Sequence, residues 1–411
     1  EERQTDGVKL LYHDVETNGI GYVTALFDLS EIEEELLPYA GILQSVLGII
    51  DTEHYGYGEL FNEINVHTGG IGTSLELYTD VTKVKEKEFR ATFEIKGKAL
   101  DPKLDVLFAM MREILMESKL GDEKRLKEIL SMLKTRLQTS FLSAGHTTAV
   151  LRSLSYTSPI ARFRDITSGI GFYEVVKDLE ENFEERKELL IENLKKIAGR
   201  IFRKENLMLS YTSAQEGLAV LEKAVPQFAD SLHTGEKESH GQCIIHCKKR
   251  NEGFRTSSKV QYVARTGNFI DGGAEYTGAL QILKVILSYD YLWQNVRVKG
   301  GAYGCMSGFN RIGEGYLVSY RDPNLEKTME IYEGVVDYLK NFDIDDRDMN
   351  KFIIGTISNL DRPMNPAAKG SRSLNLYMNR ITEEMIRRER EQILDAQQED
   401  IRGLATVLEA V

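Results

Sequence analysis

From Lys9 to Leu29 the apolar residues fall into two strand-like runs, VKLLYHDV and YVTALFDL, parted by Asn18, Gly19 and Gly21. A helix is expected next. Ser30 can cap it, Glu31, Glu33, Glu34 and Glu35 suit its positive N-terminal end, and Ile42, Leu43, Val46, Leu47 and Ile50 line one face. A second helix spans about Tyr57 to Val66 and gives way to the glycines Gly69, Gly70 and Gly72. Strands TSLELYTDV and EFRATFEIKGKA follow, the second alternating through Phe89, Ala91, Phe93 and Ile95. Asp101 with Pro102 opens a helix carrying Leu104, Leu107, Phe108, Met111, Ile114 and Leu115, and Asp122 opens another that runs through Leu142. Ala144 to Gly171 shows no clear period, and Glu174 to Ile201 reads as charged helix.

The same order returns in the second half. KVQYVARTGNF supplies a strand, and EYTGALQILKVILSYDYLWQNVRVKGGAYG supplies helices ending in a second glycine cluster. Tyr39-Ala40-Gly41-Ile42-Leu43-Gln44 matches Tyr276-Thr277-Gly278-Ala279-Leu280-Gln281, and Leu60-Phe61 before Gly69-Gly70 matches Leu292-Trp293 before Gly300-Gly301. The strand EGYLVSYRD and helices over 324–341 and 345–360 complete the second copy. A similarity spaced by more than two hundred residues is too long for a solenoid unit and implies two homologous domains. The class is α+β, each domain a mainly antiparallel sheet packed against helices. The domains are expected at 1–228 and 243–411, joined by a polar linker at 229–242.

Composition narrows the function classes. The chain has 411 residues, 42% of them hydrophobic and 28% charged, enough for sizeable cores. Lys and Arg number 52 against 64 Asp and Glu, a net charge of −12 that argues against a nucleic-acid partner. No apolar run approaches a membrane span, and the opening Glu1, Glu2, Arg3 is not a leader sequence. Three cysteines, Cys243, Cys247 and Cys305, do not make a disulfide framework and suit a reducing compartment. A start without Met, running at once into a strand, fits a piece of a longer polypeptide.

Candidate chemistry is sparse. G-x-S-x-G, the P-loop and G-x-G-x-x-G after a strand are absent, as are H-E-x-x-H and H-x-x-E-H. His13, His54, His67 and His146 are scattered without a matching nucleophile or carboxylate pattern. His233, Glu236, Glu238, His240, Cys243, His246 and Cys247 are of types that bind zinc. QCIIHCKK, however, reads as a strand, in which Cys243 and Cys247 share one face and His246 points to the other, so these ligands do not converge. Cys305 stands alone and suits apolar packing. The remaining unusual stretch is Arg297-Val298-Lys299-Gly300-Gly301-Ala302-Tyr303-Gly304. Its glycines let another chain approach closely, while Arg and Tyr donate hydrogen bonds to a carbonyl oxygen or an oxyanion. A plain helix-to-strand turn, with Arg297 in a surface ion pair, accounts for the same residues.

RVKGGAYG, the following YRDPNLEKTMEIYEGVVDYL, the late LDRPMNPAAKGSRSLNLYM and the early LPYAGIL together resemble the pitrilysin or insulinase-type metallopeptidases, in their presequence-protease branch. The resemblance covers nearly the whole chain. It implies one half of a clamshell, each half being two homologous α+β domains that close around an unstructured peptide. In that family the N-terminal half binds zinc through H-x-x-E-H and a downstream Glu, the Glu between the two His serving as general base. The C-terminal half supplies an Arg and a Tyr, which map onto Arg297 and Tyr303, with Gly300 and Gly301 beside the substrate. The resemblance therefore implies that this chain holds no cofactor, that zinc sits in the N-terminal half of the same polypeptide, and that this half is its partner. Alone, the chain is expected to be inactive, and neither nucleic acid nor membrane is an expected partner. A reading of another class is a non-catalytic scaffold or peptide-binding subunit of a heterodimeric processing-type peptidase. The expected location is a bacterial cytoplasm, or an organellar matrix in a eukaryote.

Overall fold

The computed structural model describes residues 1–234 and 245–411. Among these residues nine strands form two sheets. The first contains β1 (Glu2–Thr5), β2 (Val8–Asp14), β3 (Ile20–Asp28), β4 (Ile71–Tyr78), β5 (Arg90–Leu100) and β6 (Leu207–Ser213), in the spatial order β1-β2-β6-β3-β5-β4. The second contains β7 (Ala264–Asn268), β8 (Gly304–Phe309) and β9 (Glu314–Tyr320), in the order β7-β9-β8. All pairings are antiparallel except β2 with β6.

The duplication is written in this topology. β3-β5-β4 and β7-β9-β8 are the same arrangement: a first strand, a helical excursion, an edge strand after the paired glycines, and a last strand inserted between the two. The matched glycines also share a task. A Cβ on Gly41 would stand 2.4 Å from the Thr167 carbonyl oxygen, and one on Gly278 would stand 2.5 Å from that of Glu389. At both places a neighbouring backbone lies where a side chain would go.

One face of the first sheet is apolar. Leu10, Tyr12, Val23, Ala25, Phe27, Phe93 and Ile95 pack there on the helices Leu37–Val46, Leu104–Met116, Phe183–Ile201 and Gln215–Asp230, in a core that reaches Leu232. A second core runs from Val263 to Val411 around the helix Ala279–Tyr289. Each half also lends a helix to the other half's sheet. The helix Gly145–Leu154 crosses β7 and β9, with Ser153 Oγ 2.7 Å from Thr266 Oγ1. The helix Pro366–Met378 crosses β6, where Gly370 meets the Thr212 side chain and Leu374 joins Leu11, Leu26, Tyr78 and Met208.

Several local expectations are corrected. Ser30 does not cap a helix: its N–H donates to Asp28 Oδ1 at 2.7 Å, and the helix starts at Leu37 after a short 3-10 turn. Pro38 explains the shift, since proline lacks the N–H that a helix interior needs and belongs in a first turn. The run from Glu174 to Ile201 belongs to two helices, Ile170–Glu181 and Phe183–Ile201, broken at Asn182. Residues 245–249 are irregular, not a strand, and Ile245 packs on the first core while the His246 N–H faces a Glu34 carboxylate oxygen at 3.5 Å. Most of the expected linker, including Glu236, Glu238 and His240, lies outside the described residues, as does Cys243 just after it.

Candidate functional site

The glycine-rich corner is built at the end of a π-helical turn, Trp293–Val298. Such turns are uncommon, and they recur where a side chain must be re-aimed for function. Here the turn sets the Arg297 guanidinium over the Trp293 ring, 4.1 Å from its centroid. Gly300 follows, and a Cβ there would stand 2.4 Å from the Val296 carbonyl oxygen. Gly301 has φ +81°, a left-handed value that glycine adopts without cost. The chain thereby reverses and enters β8, carrying Tyr303 back over Arg297 with 5.7 Å between guanidinium and ring centre.

The reversal is held from outside. Asn324 donates through Nδ2 to the Gly300 carbonyl at 2.6 Å, and its own N–H donates to the buried Asp322 Oδ1 at 2.8 Å. Thr328 donates to the other Asp322 oxygen at 2.7 Å. The Tyr303 N–H donates to the Tyr320 carbonyl at 3.0 Å, fixing the corner to the end of β9.

Tyr303 is 65% exposed, and neither its hydroxyl nor the Arg297 guanidinium has a hydrogen bond or ion pair among the described residues. The surface ion pair that a plain turn would assign to Arg297 is therefore not formed there. Two donors stand side by side, stacked into position and without a protein hydrogen-bond partner among the described residues. Such a pair can bind a carbonyl oxygen, or the negative oxygen that develops from it.

Sequence reading missed the support beneath this pair. The Tyr303 ring meets Tyr320 edge-on at 5.8 Å, and Tyr320 in turn packs on His146 at 4.9 Å and Tyr262 at 5.7 Å. Tyr262 is anchored by its hydroxyl, which donates to the Leu142 carbonyl at 2.5 Å. Burial lowers the His146 pKa and so favours the neutral ring. Trp293 alone had a local signal, its spacing of four from Arg297.

Other candidates settle into structural roles. Cys305 faces the second core, and burial pushes its thiol up to about 11, so it stays protonated. His54 bonds Glu113, His13 bonds Ser210, and His67 bonds Lys103 and Glu63. Among the described residues no three His, Cys, Asp or Glu side chains form a group able to hold a metal ion. A cavity of about 450 Å³ lies between the first sheet and the helix Pro366–Met378, lined by Lys96, Glu94 and Tyr78 among others, away from Arg297 and Tyr303. No helix of the described residues is long and apolar enough to cross a membrane.

Comparison with known proteins identifies the family and the fold. The family model for the region associated with peptidase M16, subfamily C, matches residues 1–179, and the PreP C-terminal domain model matches 251–411. The chain belongs to the C-terminal part of presequence protease-like M16 peptidases. Protein HypA of Clostridium perfringens is 38% identical over 410 residues, covering 99% of this chain and 41% of the relative. Presequence protease 1, chloroplastic/mitochondrial, of Arabidopsis thaliana is 30% identical over 99% of this chain and 37% of the relative. The chain thus spans about two fifths of the length of these relatives. A peptidase M16 inactive domain from Pseudomonas fluorescens shares the fold at TM-score 0.62 and 13% identity, covering all of this chain and 94% of that one. A conserved protein from Enterococcus faecalis V583 does so at TM-score 0.67 and 15% identity, covering 99% and 96%.

Proposed function

We propose that this chain is the zinc-free wall of a peptide-degrading metallopeptidase, and that Arg297 and Tyr303 hold the substrate backbone and the oxyanion formed from its scissile carbonyl. The observation that carries this reading is the pair of donors without protein partners among the described residues, the Arg297 guanidinium 5.7 Å from the Tyr303 ring centre, held on a tight glycine turn. The zinc-bearing N-terminal part of the same polypeptide is the partner, and unstructured peptides are the substrates. Zinc held there supplies an activated water.

What this chain adds is orientation and charge. Arg297 places a fixed positive fork, braced by Trp293, beside the carbonyl oxygen, and Tyr303 adds a neutral O–H donor at its side. Gly300 lets the turn close on its own Val296 carbonyl, and Gly301, with only the Pro323 side chain among the described residues within 4 Å of where a Cβ would stand, lets the peptide pass close by. Donors already aimed where negative charge appears need no reorganisation during the reaction. A non-catalytic scaffold subunit would leave these two donors without a task. The setting we favour is a bacterial cytoplasm, or an organellar matrix in a eukaryote.

The test is Tyr303→Phe and Arg297→Ala in the longer polypeptide that includes the zinc-bearing part, assayed with a fluorogenic peptide. Removal of one such donor lowers kcat by roughly 10²–10³. An unchanged kcat/KM in both variants, with correct folding, would remove the assignment.

A further inference from the structure

Arg321 follows the last residue of β9 and sits at φ +49°, in the left-handed region. A side-chain-bearing residue there costs free energy that glycine would not. Other residues with positive φ have a visible local reason. Lys87 closes a 3-10 turn and bonds Asp271 at 2.7 Å, and Arg380 follows the C-cap of the helix Pro366–Met378. Arg321 ends a strand, is exposed, and has no hydrogen bond or ion pair for its guanidinium among the described residues.

Its backbone is nevertheless held in place. The Arg321 carbonyl accepts from the Tyr303 N–H at 3.3 Å, and the next residue, Asp322, exchanges backbone bonds with Gln261 at 2.8 and 2.9 Å. The guanidinium lies over the Tyr320 ring, 5.4 Å from its centre, and the same ring supports Tyr303. A continuous row of contacts results: Trp293, Arg297, Tyr303, Tyr320, Arg321. It has an uncompensated cation near each end. The contact with the Tyr320 ring is the one interaction the guanidinium makes among the described residues, which leaves its N–H donors for a ligand.

We infer that Arg321 is a specificity-determining residue that receives a carboxylate of the peptide bound along the Arg297–Tyr303 corner, an inference that rests on the function proposed above. The carboxylate belongs either to an acidic side chain or to the C-terminus of the peptide. A planar guanidinium braced on an aromatic face matches it with two parallel donors.

The experiment uses the longer polypeptide with its zinc-bearing part and two sets of fluorogenic peptides. One set replaces Gln by Glu at successive positions around the scissile bond, and the other compares a free C-terminal carboxylate with its amide. In the unaltered protein, kcat/KM is expected to be roughly five- to tenfold higher for the charged member at one Glu position or at the free C-terminus, mainly through KM. Arg321→Gly is expected to bring that ratio to about one without lowering the melting temperature, and Arg321→Lys to retain part of it. A ratio unaffected by Arg321→Gly, or no preference in the unaltered protein in either set, overturns the proposal. Failure of the underlying reading appears separately, as an unchanged kcat/KM of Tyr303→Phe and Arg297→Ala on the neutral peptides.

Discussion

Asn324 reaches back across 24 positions to donate from Nδ2 to the Gly300 carbonyl at 2.6 Å. This bond ties the turn that carries Tyr303 to a loop pinned by the buried Asp322. Asn324→Asp keeps the shape but replaces the donor by an acceptor, so the Gly300 carbonyl loses its partner and faces a carboxylate. The expected cost is about 1–2 kcal/mol of stability. If the corner functions as proposed, kcat/KM in the longer polypeptide falls as well, because the placement of Tyr303 depends on the turn. Urea unfolding and peptide kinetics on the same variant check both parts, and an unchanged unfolding midpoint would show that the bond holds nothing.

The duplicated glycines allow a sharper comparison. Gly41→Ala and Gly278→Ala each press a methyl group into a backbone oxygen, at 2.4 and 2.5 Å, which neither rotamer change nor solvent can relieve. Each is expected to destabilise its own core by about 1–3 kcal/mol, the usual cost of overpacking. Gly199, inside the helix Phe183–Ile201, has nothing among the described residues within 4 Å of where a Cβ would stand, its own helix backbone aside. There alanine is expected to stabilise by about 0.5–1 kcal/mol through helix propensity alone. Thermal unfolding of the three variants should move the first two midpoints down and the third up. Equal effects in all three would mean that the close approaches carry no constraint.

The expectations that held and those that failed divide along physical lines. β5 was legible because one of its faces is apolar and the other polar, which leaves an alternation that a single chain displays. β6 was not foreseen. All seven of its residues are buried, between β2 and β3 in the sheet, with helices on one face and the helix Pro366–Met378 across the other, so no alternation marks it. The exchange of helices between the two sheets was invisible for a related reason: periodicity tells that a helix has an apolar face, not which sheet receives it. At the site, Arg297, Gly300, Gly301 and Tyr303 announced themselves by adjacency. Tyr320, Tyr262 and His146 meet them only in the folded chain, and the left-handed backbone angle of Arg321, which among the arginines it shares with Arg380, is announced by no sequence pattern.

Acid should act on the first sheet through His13. This residue lies on β2, is 8% exposed, and shares a hydrogen bond of 2.9 Å between Nε2 and Ser210 Oγ on β6. Burial depresses its pKa from 6.5 to about 4, because the imidazolium would lose its hydration there. The folded chain therefore keeps the ring neutral where the unfolded chain protonates it. Between pH 6.5 and about 4 the unfolded state binds more protons, so stability falls as pH falls, and the loss is complete only below the folded value. With about 1.4 kcal/mol for each pH unit of difference, His13 accounts for a loss of up to about 3 kcal/mol across this window. His13→Gln keeps a group able to meet Ser210 but does not titrate. Its urea midpoint, compared with that of the unaltered chain at successive pH values, should lose less on going from pH 7 to pH 4.5. Parallel curves would show that the imidazole is hydrated or charged in the folded protein, and that the acid sensitivity of the sheet comes from its carboxylates.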